Sequence, residues 1–160
     1  MRRKDRQRDR AFALDVIDRC EYGVMAMSGP DGIPYSVPLS LVRVGEKLYF
    51  HCALEGTKLD LLRSQPKVCL SFVAFNQGAE DKFTTYFQSA NVKGTACEIT
   101  DQEEKVAALR ALSEKLTPAN MTGDNFERAI AKSLSVTGVW AIAMEEVTGK
   151  EKPLPKAEEA

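Results

Sequence analysis

Residues 48–58 read LYFHCALEGTK. The apolar run Leu48, Tyr49, Phe50 has the composition of a strand and ends at His51, the only histidine of the chain. Gly56, Thr57 and Lys58 follow. A strand that runs into a loop carrying a glycine, a hydroxyl and a lysine can hold an anionic group against a sheet edge, with the ammonium as counter-charge. GTK is also common in solvated loops, and a lone histidine is as a rule a satisfied structural residue. On these residues alone both readings stand.

Working outward, Lys58 to Ser64 places Leu59, Leu61 and Leu62 on a helical face and stops before Pro66, which disfavours helix at the residue it follows. Upstream, Tyr22 to Ser28 reads as a strand, GPDG at 29–32 carries turn chemistry, and IPYSVPLSLVRV at 33–44 completes a hairpin. A second turn at 45–47 leads into the opening segment. Ala11 to Arg19 has the apolar spacing of a short amphipathic helix. Downstream, Val68–Phe75 and Thr84–Ile99 are β-rich, separated by a polar connection at 76–82, and Gly94 marks a bulge or bend. Thr100 or Asp101 caps a helix through VAALRALSEKL, with Glu103 or Glu104 in reach of a capping box. A shorter helix follows over 125–134, then the apolar strand VTGVWAIAMEEV at 136–147.

The 160 residues are 44% hydrophobic and 28% charged, enough for one compact core without staples. A formal net charge of −1 gives no global attraction to nucleic acid or to an anionic membrane. Only MRRKDRQRDR at the start is locally basic, and no apolar stretch of signal-peptide length follows it, so a cytoplasmic location is expected. Cys20, Cys52, Cys69 and Cys97 lie far apart without a CxxC pair, which argues against a metal site or a disulfide framework. Those in strand-like runs are expected to be small core residues. One domain is expected over 1–150, followed by a mobile tail at 151–160 rich in proline and charge.

Strands outnumber helices, and neighbouring strands read as hairpins. The economical architecture is mainly β, an antiparallel sheet closing into a small barrel with helices at its rim. No GxGxxG follows a strand and no GxxxxGK[ST] occurs, so neither a dinucleotide fold nor a P-loop is supported.

Taken together and in order, MRRKDRQ, GIPYSVPLSLV, LYFHCALEGTKLDLL, PKVCLSF, YFQSANVKGTACEI and VTGK resemble the pyridoxamine 5′-phosphate oxidase-like flavoproteins, and within them the subgroup of nitroimidazole resistance proteins. The resemblance spans residues 1 to 150. It implies a six-stranded split β-barrel, a homodimer, and flavin mononucleotide (FMN) in a groove between subunits.

Carried over residue by residue, Thr57 and Lys58 fall on the loop that holds the flavin phosphate. Val37, Pro38, Leu39 and Ser40 fall on the strand whose backbone lies along the isoalloxazine ring. Pro34 and Pro38 cannot donate to a ladder, so that strand should be partly unpaired or at an edge. His51 and Cys52 follow the sheet toward the same pocket, where the resemblance implies that His51 stands beside cofactor or substrate, as a hydrogen-bond donor or a proton source. Ser89 matches a polar flavin contact, and Gln88 stands where the oxidases tend to have a basic residue. Val37 replaces the arginine of the oxidases' phosphate-binding strand, and no ArgLeu ending follows Trp140, so oxidation of pyridoxine phosphate is not expected. Arg2, Arg3 and Lys4 could supply part of the missing positive charge.

Two functions follow from the resemblance. One is an FMN-dependent oxidoreductase taking electrons from NADH or NADPH to a small aromatic or nitro-type acceptor. The other is a module that binds flavin, haem or another planar ligand without turnover.

Overall fold

A computed structural model describes residues 3–155. Its centre is one antiparallel sheet in the order β3-β2-β6-β7-β8-β5-β4, with the two-residue β1 (Gln7–Arg8) paired to the far part of β8. The strands are β2 (Tyr22–Ser28), β3 (Pro34–Ser40), β4 (Val42–Val44), β5 (Lys47–Cys52), β6 (Lys67–Gly78), β7 (Thr85–Glu98) and β8 (Gly138–Lys152). β3 and β4 stand at opposite ends of that order, yet only Leu41 separates them in sequence. The sheet must therefore curl until its two edges meet, which makes it a split barrel. The count exceeds the expected six because the short β1 and β4 are strands in their own right; neither is long enough to show a period of two in the sequence.

Two bulges sharpen the curl. Between Val73 and Phe75 of β6 the extra residue is Ala74, and opposite Lys93 and Gly94 of β7 it is Glu145 of β8. The bend expected at Gly94 is thus made by its partner strand. Gly94 itself is required by space, because a Cβ there would stand 2.1 Å from the Ala143 carbonyl oxygen. β6 begins at Lys67 and runs through Asn76–Gly78, shortening the expected polar connection. β8 continues through Glu151 and Lys152, which pair with Gln88 and Phe87, so the first residues of the expected tail belong to the sheet. Residues 156–160 lie outside the described residues.

The helices close the barrel. α1 (Arg10–Arg19) starts where the Asp9 carboxylate accepts the Phe12 amide at 2.8 Å, and it buries Ala13, Val16 and Ile17 in the barrel interior. α2 (Thr57–Ser64) adds Leu59 and Leu62 to the same core, with Phe50, Leu70, Phe72 and Trp140. α3 (Gln102–Leu116) lies on the other face of the sheet. There Ala108 and Leu112 pack on Val42, Tyr49, Val139 and Ala141 in a second core. Asp101 caps α3, but Glu104 does not turn back to complete a capping box: its carboxylate accepts from Lys47 Nζ and Tyr49 Oη, each at 2.8 Å, and ties the helix to β5. Lys115 near its end donates to the Leu41 carbonyl at 2.9 Å, at the seam between the sheet edges. α4 (Asn125–Ser133) buries Phe126, which faces Leu109, Leu112 and Leu116 of α3 across a cavity.

The cysteines do not all pack as expected. Cys20 is buried, Cys52 and Cys69 are half-buried, and Cys97 is exposed. Cys97 lies on the outward row of β7, the face opposite buried Ala96.

Candidate functional site

The polar stretch EGTK becomes the amino-terminal turn of α2. Gly56 has φ +135°, a backbone conformation that side chains rarely adopt, and open space where a Cβ would stand. Its carbonyl accepts the amides of Leu59 and Asp60. No side chain caps this helix, so the Thr57 and Lys58 amides, at positions that have no partner within a helix, face outward beside the Thr57 hydroxyl and the Lys58 ammonium. This is a ready anion site in geometry as well as charge.

Cys52 stands close behind it. Burial pushes its thiol pKa up, while the nearby Lys58 pulls it down by less. The thiol therefore stays protonated at neutral pH and is not an activated nucleophile. His51 does not share its surroundings. Neighbours along a strand point to opposite faces, so Leu48, Phe50 and Cys52 turn toward the barrel interior and Tyr49 and His51 toward α3. The structure thus brings Cys52 and Lys58 together and sets His51 apart, in a cavity of about 270 Å³ under α3 and α4.

β3 is the edge strand that its prolines demand, paired only with β2. Val37 and Leu39 pack against the barrel core, whereas Pro38 and Ser40 are exposed on the outer face. That outer face continues without a helix over it through Val24 of β2, Val73 of β6 and Ser89 of β7. Ser89 lines a cleft of about 250 Å³ there with Ser71, Val73, Asn91, Thr148 and Lys150. Gln88, on the other side of the strand, turns toward α1, where its amide joins Arg19 and Glu151, each at 2.8 Å. At the amino terminus, Arg3 is engaged by Asp5 at 2.6 Å, and Arg2 lies outside the described residues.

Pattern reading missed the cavity under α3 and α4. Its walls come from Leu109, Leu112, Leu116, Phe126 and Ile130, which are apolar positions of two helices read separately. The alternation of β5 was the one available signal that His51 faces it.

The model of the family described as pyridoxamine 5′-phosphate oxidase matches residues 9–151. The chain belongs to that family. A comparison with curated proteins gives no match. Among solved structures, a candidate 5-nitroimidazole antibiotic resistance protein from Bacteroides thetaiotaomicron superposes with TM-score 0.75 at 23% identity, covering 89% of this chain and 84% of that one. The flavocytochrome Anf3 from Azotobacter vinelandii gives TM-score 0.78 at 23% identity over 99% of this chain and 76% of its own. An FAD and haem binding protein from Mycobacterium smegmatis gives 0.76 at 22% identity over 96% and 78%. At these identities the likeness establishes the split-barrel fold of the pyridoxamine 5′-phosphate oxidase family for this chain. Among the described residues no helix is long and apolar enough to cross a membrane.

Proposed function

We propose that the protein is a flavoprotein that holds FMN between two copies of itself and reduces a small aromatic, nitro-type acceptor with electrons from NADH or NADPH. The observation that carries this reading is the uncapped start of α2, where Gly56, Thr57 and Lys58 offer free amides, a hydroxyl and an ammonium to one dianionic group. Asp60 in the same turn is the only acid of that helix start.

When bound, the flavin supplies hydride acceptance and two-electron delivery. The chain's own residues bind and orient. Lys58 and Thr57 fix the phosphate, the exposed Pro38 and Ser40 border the ring along an edge whose amides are not all taken by a ladder, and Ser89 on the outer face contributes a hydroxyl. His51 stands on the other side of the sheet, in the cavity under α3 and α4, and takes no part in this groove. The homodimer is part of the proposal because the single chain does not enclose this site. Pro38, Ser40 and Thr57 lie exposed on the surface of the single chain. A second copy across the bare outer face would complete the walls.

The test is anaerobic reduction of the protein-bound chromophore by NADH or NADPH, followed by reoxidation with a nitroimidazole. Bleaching and recovery of the flavin band support the reading. A flavin that no nicotinamide reduces removes the enzyme and leaves a binding module, and a Soret band in place of flavin absorbance assigns the groove to haem.

A further inference from the structure

The cavity beneath α3 and α4 has an unusual distribution of polar groups. Four hydroxyls reach its lining, and every one already commits its proton to backbone: Ser113 Oγ donates to Leu109 O at 2.9 Å, Thr117 Oγ1 to Ser113 O at 3.2 Å, Ser133 Oγ to Ala129 O at 2.8 Å and Thr137 Oγ1 to Ser133 O at 2.8 Å. Each therefore offers the cavity only acceptor lone pairs. His51 is the one ionisable side chain in the lining. No hydrogen bond engages its imidazole among the described residues, and it is the only side chain there with a proton left to give. The remaining wall is apolar. Its aromatic plate, Phe126, lies under the Arg110 guanidinium, 4.2 Å from the ring centroid and itself anchored to Glu127 at 2.8 Å.

We infer that this cavity is a binding site, separate from the proposed flavin groove, for a small aromatic molecule that carries one hydrogen-bond acceptor, its ring against Phe126 and the leucines and its carbonyl, nitro or carboxylate oxygen on His51. A cleft of about 270 Å³ has room for a single substituted ring. Apolar walls with a single convergent donor favour such a molecule over a polar or multiply charged one. The site does not rest on the flavin reading. It uses none of the residues placed at the phosphate or along β3.

The experiment is methyl-detected NMR titration of the full chain with benzamide, benzoate and toluene, with and without FMN. Saturable shifts are expected at Leu109, Leu112, Leu116 and Ile130, with toluene, which has no acceptor, at least tenfold weaker than benzamide. His51→Ala should remove that tenfold preference and leave toluene unchanged, and Ala129→Leu, at an exposed helix position lining the cavity, should weaken all three. Equal affinities for toluene and benzamide, shifts centred elsewhere, or an unchanged preference in His51→Ala would overturn the proposal. Displacement of benzamide by FMN would give the cavity to the flavin and also overturn it. Failure of FMN to bind anywhere would sink the proposed function and leave this site standing.

Discussion

β4 and β5 are covered on both faces, whereas β2, β3 and β6 are covered on one. At the first end, Leu48 and Phe50 face the barrel core while Val42 and Tyr49 lie under α3. At the other, Met25, Leu70 and Phe72 face the core, but Val24 and Val73 on the opposite side stay 38% and 61% exposed. The same sheet thus carries a finished end and an unfinished one. α3 covers the finished end, and with α4 it borders an open cleft there. The unfinished end, with its proline-bearing edge, is the face on which we place the partner copy and the flavin.

Substitutions on the two ends should differ most in stability. Leu112→Ala opens the layer between α3 and the sheet and is expected to cost about 2–5 kcal/mol in denaturant unfolding. Val73→Ala on the bare face should cost less than about 0.5 kcal/mol in the isolated chain. Equal costs would erase the contrast. Gly94→Ala tests the bulge that turns one end into the other: with backbone oxygen only 2.1 Å from the new Cβ, a loss of about 1–3 kcal/mol is expected. A thermal midpoint unchanged from the parent would show that the strands slide apart freely.

Binding should depend on the unfinished end and on α2. Lys58→Ala is expected to weaken FMN roughly tenfold or more, read by fluorescence titration, because a phosphate loses its counter-charge at an otherwise intact helix start. The smallest effect lies at the seam joining the ends. Burial lowers the pKa of Lys115 below the ordinary lysine value, so between the two values the unfolded chain binds more protons than the folded one. Lys115 should therefore make stability rise with pH as the alkaline range is climbed toward the ordinary lysine value. Subtracting the profile of Lys115→Met isolates that slope, and parallel profiles would mean that Lys115 titrates alike in both states.

Much of this contrast was legible in the chain. GPDG between two strand-like runs marked the β2–β3 hairpin, Pro34 and Pro38 pointed to a partly unpaired or edge strand, and Thr100 or Asp101 before VAALRALSEKL marked the start of α3, where Asp101 is the cap. What stayed hidden has physical causes. Gln7 and Arg8 pair with Gly149 and Lys150 inside a charged run, where two residues carry no period. Glu151 and Lys152 looked like tail because charged side chains serve equally well on a solvated strand. His51 and Cys52 look like one pair in sequence, but the alternation of β5 sends them to opposite sides of the sheet. Glu104 looked like half of a capping box and instead serves β5, since local and tertiary partners compete for one carboxylate.

The claim that the bare end is completed by a second copy with FMN between them is tested most directly by sedimentation velocity of the purified protein, recorded at both protein and flavin wavelengths. The expected result is a single species of twice the 17.7 kDa chain mass carrying the flavin absorbance, converted by Val73→Glu on the bare face to monomer that has lost it. A monomer that retains tightly bound FMN would contradict the account.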